Sequence, residues 1–203
     1  TLSQLQDGFS SVTIGRTNGT GLITVDAVTF TDPTTIRGGS SASIVVDGQI
    51  TGSDNGSITL SGATATLNAD IVTEGQAITI SGAAILGSPS TINIDTTNGG
   101  AVAAGADITI TGNVNDDTAG SSNLVVNTGT DGASSLARIG NSTAIGNLTV
   151  IGPDIELTDS VTLAADKILT ITNSGTWTIG SATLTAPGGI VQNGAGTTTL
   201  SRS

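Results

Sequence analysis

The chain of 203 residues has no cysteine, histidine, methionine or tyrosine, and its aromatic side chains are Phe9, Phe30 and Trp177 alone. These absences remove whole chemistries. Without Cys or His there is no zinc site of the usual kind, no Ser-His-Asp or Cys-His nucleophile, no redox pair and no thiolate-held cluster. Disulfides are impossible, and the lack of cysteine suits a secreted chain as well as a cytosolic one.

Positive charge is scarce too. Five Lys and Arg stand against 16 Asp and Glu, a net charge of −11, and Arg16, Arg37, Arg138, Lys167 and Arg202 are scattered singly. Neutralising phosphates takes clustered cations, and single strands add aromatic stacking platforms, so nucleic acid is not an expected partner. Anionic membrane surfaces fail on the same argument. No apolar run approaches the ~18 residues of a spanning helix, so no membrane span is expected. Thr1 to Gln4 carry neither an initiator Met nor a basic stretch ahead of an apolar one, and the chain reads as a mature fragment.

What the sequence has instead is 36 Thr, 22 Ser, 29 Gly and short runs of β-branched aliphatics. Runs such as Val12-Thr13-Ile14, Ile44-Val45-Val46, Ile92-Asn93-Ile94, Leu124-Val125-Val126 and Leu148-Thr149-Val150 exclude disorder and read as strands. Turn chemistry closes each run, as at Asp47-Gly48, Asn98-Gly99-Gly100 and Gly152-Pro153. The best helical candidates, Ala101 to Ala104 and Leu163 to Lys167, are too short to be stable.

One unit recurs: Ile58-Thr59-Leu60-Ser61-Gly62, Ile78-Thr79-Ile80-Ser81-Gly82 and Ile108-Thr109-Ile110-Thr111-Gly112, at offsets of 20 and 30 residues. Looser copies begin at Ile44, Ile92 and Trp177. Irregular spacing of a constant unit is the signature of a parallel β-solenoid, in which each coil pairs with the coils above and below and corners accept insertions. A coil of roughly 16 to 20 residues predicts about ten to twelve coils and a rod of order 50 to 60 Å. The shortage of aromatics favours a narrow channel filled by Val, Ile, Leu and Ala. Thr and Ser then face outward, and stacked coils align Asn or Thr in ladders. An antiparallel β-sandwich is the runner-up, since it shares short strands and frequent turns. Residues 1–203 read as a single continuous segment, with Thr31 to Thr35 and Asn115 to Ser122 as external loops. Both ends are expected to be uncapped and open to a further strand layer.

The stretch from Gln4 through Arg16, followed by Gly21 to Phe30, resembles repeat units of very large bacterial surface exoproteins of the filamentous-haemagglutinin type. Ala65 to Ile71 and Gly188 to Gly194 are similar to such repeats and to autotransporter passengers. The resemblance implies a right-handed β-solenoid, secretion to the bacterial cell surface, a stalk or adhesive-fibre role and no catalytic residues. That family's amino-terminal secretion module and an aromatic-girdled barrel are not found in these residues.

Three chemistries compete with that reading. Parallel solenoids host polysaccharide-acting enzymes, for which Asp116 and Asp117 are the candidate carboxylate pair, with Asp95 or Asp107 from neighbouring coils. No aromatic stands near them to grip a sugar, and the Gly-His-Gly and Arg-Ile-Lys elements of polygalacturonase-type enzymes are missing. Calcium has hard oxygen ligands at Asn113, Asn115, Asp116 and Asp117, and at Asp54 and Asn55, but the spacing fits neither an EF-hand nor a Gly-Gly-x-Gly-x-Asp nonapeptide. Ice binding has Thr-x-Thr motifs starting at Thr29, Thr64, Thr109, Thr170, Thr176 and Thr183, but their gaps are too uneven for one motif per coil. Trp177 is read as a channel plug or end cover, and the sequons at Asn18, Asn55, Asn141 and Asn147 as accidents of composition. The sequence therefore predicts a structural, non-enzymatic rod with no catalytic, cofactor or metal residues, stacking end to end with itself, with cell-surface glycans as a further partner class.

Overall fold

The computed structural model describes residues 5–87, 89–180 and 183–200. Thr1 to Gln4, the start of the expected uncapped end, lie outside the described residues. The chain is a parallel β-solenoid of about eight turns, with no helix among the described residues. Every ladder between strands is parallel, so the sandwich alternative is excluded. Among the described residues only the isolated bridge between Glu74 and Thr97 is antiparallel.

Each coil contributes up to three strands. The first coil holds β1 (Val12–Gly15), β2 (Leu22–Val25) and β3 (Val28–Phe30), and the second holds β4 (Thr34–Arg37), β5 (Ser43–Val46) and β6 (Ile50–Gly52). In the third, one long strand β7 (Ile58–Leu67) turns the corner between two faces before β8 (Ile71–Thr73); β9 (Ile78–Leu86) and β10 (Thr91–Asp95) repeat this in the fourth. The fifth comprises β11 (Ile108–Ile110), β12 (Val114–Asp116) and β13 (Asn123–Asn127), the sixth β14 (Ser134–Leu136) and β15 (Leu148–Gly152). The seventh has β16 (Ile155–Leu157), β17 (Val161–Thr162) and β18 (Ile168–Asn173), and the eighth β19 (Thr176–Ile179), β20 (Leu184–Thr185) and β21 (Gly189–Asn193). A ninth layer begins with β22 (Thr197–Leu200).

The first face stacks β1-β4-β7-β9-β11-β14-β16-β19-β22, and another stacks β3-β6-β8-β10-β13-β15-β18-β21. Between them runs a second face, where β2, β5, β7, β9 and β12 continue through bridges at Ile139 to β17 and β20. The coil count corrects the expectation of ten to twelve. The aligned residues Ile58, Ile78 and Ile108 lie 20 and 30 residues apart, because each coil carries three faces plus corner loops. Eight coils at the usual strand spacing make a rod about 40 Å long.

Alternation of burial fills the channel. In Ile78-Thr79-Ile80 both isoleucines are fully buried while Thr79 faces out, and the same holds for Ile58-Thr59-Leu60 and Ile108-Thr109-Ile110. The core is almost wholly Ile, Leu and Val, as expected, joined by Phe30 and Trp177. Trp177 points inward in register with Ile155, and its indole N–H is buried with no partner. It fills the channel near the last coils. There the core opens: β21 is exposed throughout, with Ile190 50% accessible, and at the opposite end the inward Ile14 and Ile23 are only half-buried.

The glycine of the repeated unit has a steric cause. It turns the corner between the first and second faces, where adjacent backbones nearly touch: a Cβ on Gly82, whose φ is +114°, would lie 2.0 Å from the Gly62 carbonyl oxygen. A Cβ on Gly112 would lie 1.9 Å from the Gly82 oxygen. No side chain fits there. Both expected loops are corrected in part: Thr34 and Thr35 already belong to β4, with Asp32 and Thr34 buried, and Asn115 and Asp116 belong to β12, with Asp116 and Ser122 buried. A threonine hydroxyl satisfies the inward position by donating to the Asp32 carbonyl at 2.9 Å.

Candidate functional surfaces

Several acidic and amide side chains, the candidates Asp107 and Asn115 among them, clip one coil to the next. Asp70 accepts from the Asn93 backbone N–H at 2.7 Å and from its amide at 3.0 Å. Asn123 accepts from the Asn147 N–H at 2.7 Å, and Asn147 from the Ile168 N–H at 2.8 Å, which is the expected asparagine ladder. Asp107 accepts from the Ala133 N–H at 2.8 Å and Asn115 from the Ser142 N–H at 2.9 Å. Each supplies an acceptor to a strand-edge N–H that the parallel ladder leaves over.

Asp116 and Asp117 are adjacent but do not act as a pair. Asp116 ends β12 with its side chain buried, accepting from the Ser122 N–H at 2.8 Å and the Ser121 hydroxyl at 3.0 Å. Asp117 lies on the exposed side and meets the same hydroxyl at 3.4 Å. Asp116 thus organises the loop that follows it. Asp95, the other proposed partner, closes a similar turn: its carboxylate takes the Thr97 N–H at 2.8 Å, the Thr97 hydroxyl at 2.6 Å and the Gly99 N–H at 2.8 Å. Among the described residues no group of three or more acidic side chains is placed to hold a metal ion. Asp54 takes a left-handed turn with φ of 52°, which accounts for an Asp-Asn pair there by conformation alone.

Two carboxylates are held below the usual carboxylate range. Hydrogen bonds from the Thr176 hydroxyl and backbone N–H do this for Asp154, at 2.6 and 2.8 Å. Arg138, whose guanidinium donates to Asp159 at 2.8 Å, does it for Asp159 with help from the Ser160 N–H. Both sites are solvated, and Asp154, like the others, ties one coil to the next.

The depressions on the surface are open and shallow. One of about 290 Å³ lies on the first face among Ser135, Asp154, Glu156, Thr176 and Thr178. Another of about 370 Å³ lies on the third face among Gln49, Asp70, Asn93, Asp95 and Asn127. Ligand clefts of this volume normally enclose their ligand and are mostly apolar. Both depressions are open to solvent and enclose no ligand-sized space.

The most regular surface is the outward side of the first face. Register places Thr13 beside Thr35, Thr35 beside Thr59, Thr59 beside Thr79 and Thr79 beside Thr109. The column continues through Ser135, Glu156, Thr178 and Thr199. Nine layers therefore present eight hydroxyls and one carboxylate in single file, one strand spacing apart, and among the described residues none of these side chains has a hydrogen-bond partner. The Thr-x-Thr motifs are divided among the three faces, as their uneven gaps predicted. The ladder comes from the single Thr of each Ile-Thr-Ile unit and its counterparts, which motif spacing could not reveal.

The chain matches no family model, no curated protein and no solved structure.

Proposed function

We propose that this chain is a structural, non-enzymatic segment of a secreted bacterial surface fibre or adhesin stalk of the filamentous-haemagglutinin or autotransporter-passenger type. The observation that carries the reading is the unbroken parallel ladder, in register on the first face from β1 to β22, combined with polar side chains already committed to joining coils. Such a body resists bending and extension through backbone hydrogen bonds in every layer. It leaves little chemistry to spare. The resemblance of Gln4 to Phe30 to surface exoprotein repeats supplies the secreted setting.

End-to-end stacking belongs to the same proposal. The last coil exposes Ile190, in the inward column of Leu169, and the first leaves the inward Ile14 and Ile23 only half-buried, while both edges carry parallel strands on the same faces. A second copy's first coil meets the last coil as one more layer, covering apolar surface at about 25 cal/mol per Å² and pairing free strand edges. Electron microscopy and fibre diffraction of concentrated protein test this. Filaments with a ~4.8 Å axial layer line are expected. Turnover of any polysaccharide in a broad glycan panel, abolished by Asp116→Ala or Asp117→Ala, would overturn the non-enzymatic reading.

A further inference from the structure

Two arginines have a buried Nε with no partner of its own, and the fold treats them differently. Arg138 is answered by its surroundings: its terminal nitrogens donate to Asp159 at 2.8 Å and to Asn141 at 3.1 Å. Arg37, the half-buried last residue of β4, makes neither an ion pair nor a side-chain hydrogen bond among the described residues. Its register partners in the adjoining coils are Gly15 and Ser61, and neither carries a charge. A buried N–H without an acceptor gives up its hydration for nothing in return.

Arg37 lies where the corner between the first and second faces widens. That corner consumes residues 62–63 inside β7, 38–42 in the second coil and 16–21 in the first. The longest loop is tied to the next one, with the Gly39 N–H donating to the Gly19 carbonyl at 2.7 Å and the Gly19 N–H to the Arg16 carbonyl at 3.0 Å. A Cβ on Gly39 would lie 2.7 Å from that Gly19 oxygen, so the backbones meet without side chains between them. Beside them is an open depression of about 290 Å³, lined by Arg16 and Arg37 together with Gly19, Thr20, Gly21 and Gly38. Among the described residues no Asp or Glu lines it, and Arg16 has no ion pair either. In a chain of net charge −11, two of the five cations therefore share one hollow with no carboxylate to answer them.

We propose that this corner is an oxyanion site, at which Arg16 and Arg37 hold a carboxylate, phosphate or sulfate group. A guanidinium offers its donors in a fixed fork that engages two oxygens of such a group at once. Two like charges in one hollow repel while it is empty and are both satisfied by an anion between them. Thr20 adds a hydroxyl that can donate, and the surrounding glycines leave room for the group to approach. An oxyanion keeps part of its hydration, so an open hollow suffices where an apolar ligand would need a cleft. The acidic remainder of the chain does not forbid it, because charges more than about 8 Å away are largely screened at physiological salt and the local pair decides. The same chemistry reaches the site as a free ion or as a pendant group on an acidic sugar chain. It stands independently of the fibre reading, since a rod outside any fibre would bind the same group.

Nitrogen-15 NMR titration of the whole chain with sodium phosphate, sulfate and glucuronate, at constant ionic strength against chloride, tests the assignment. Saturable shifts are expected at the Arg37 Nε–H and at the amides of residues 16–21 and 38–42. Arg37→Gln and Arg16→Gln should each weaken binding at least about tenfold, the loss of one hydrogen bond to a charged group. Lys167→Gln, which removes another cation without an ion pair among the described residues, should leave it unchanged. Arg16 is exposed, so its variant is expected to fold even if Arg37→Gln does not. No saturable shift with any of the three anions would overturn the proposal, as would undiminished affinity in Arg16→Gln. Shifts of equal size around Arg138 and Lys167 would mean general screening and overturn it too. Tighter binding of an oligoglucuronate than of glucuronate, at equal carboxylate concentration, identifies the pendant group as the source, and equal binding identifies the free ion. Filament formation by the Arg16→Gln protein is scored separately and bears only on end-to-end stacking.

Discussion

Two adjacent residues of β9 give the sharpest test of the channel. Ile80 is fully buried in the middle of the stack, and Thr79 beside it faces solvent. Ile80→Ala removes three carbons from a closed channel, about 2.4 kcal/mol at ~0.8 kcal/mol per buried carbon. The neighbouring coils are held at fixed spacing by their backbone ladders and cannot collapse into the gap, so a cavity term adds to give about 3 to 4 kcal/mol. Thr79→Ala removes only half-exposed atoms and a β-branch, worth about 0.5 kcal/mol. Urea titration followed both by circular dichroism and by Trp177 fluorescence reads the two variants. Trp177 sits four coils from Ile80 in the stack, so coincident transitions also establish that coil 4 and coil 8 unfold together. Equal costs for the two substitutions, or a loss below about 1 kcal/mol for Ile80→Ala, would refute the inward-outward assignment.

Other consequences are more local. Gly82→Ala must push its Cβ away from the Gly62 oxygen, 2.0 Å off, at a φ of +114°, and should lower the thermal midpoint by several degrees, whereas Gly99→Ala, with nothing within 4 Å, should cost only its backbone strain. Asp116→Ala leaves the Ser122 N–H without its acceptor and should destabilise by about 1 to 3 kcal/mol in urea titration, with faster hydrogen exchange confined to the loop that follows. Because Asp154 and Asp159 have depressed folded-state values, their stabilisation is present above the unfolded value near 3.8 and is lost as pH falls through the folded ones. Thermal midpoints should therefore fall below about pH 4, and Asp159→Asn should flatten that decline; an acid profile unchanged by Asp154→Asn together with Asp159→Asn would contradict the assignment.

Much of the fold was legible because alternation and turn chemistry are local. Ile78-Thr79-Ile80 announces a strand with two inward residues, and its recurrence at Ile58 and Ile108 announces stacking. Coil number was less legible. The turn from Thr96 to Asp107 and the loop after Asp116 lengthen the fifth layer's approach and its second corner without altering the strands, so residue spacing overstates how often the chain closes a circuit. The candidate carboxylates misled for a related reason. An Asp beside a strand end looks the same whether it faces a ligand or the N–H of the coil above.

The sequence by itself determined the class of fold, the aliphatic filling and the absence of histidine-dependent and thiolate chemistry, because these depend on residue type and a period of two. Only the tertiary structure decided which residues share a column. That depends on how much chain each corner consumes, which varies from 20 to 30 residues per circuit between Ile58 and Ile108. Thr13 and Thr199 belong to one ladder because eight closures bring them into line, and Arg37 and Glu156 share a surface for the same reason.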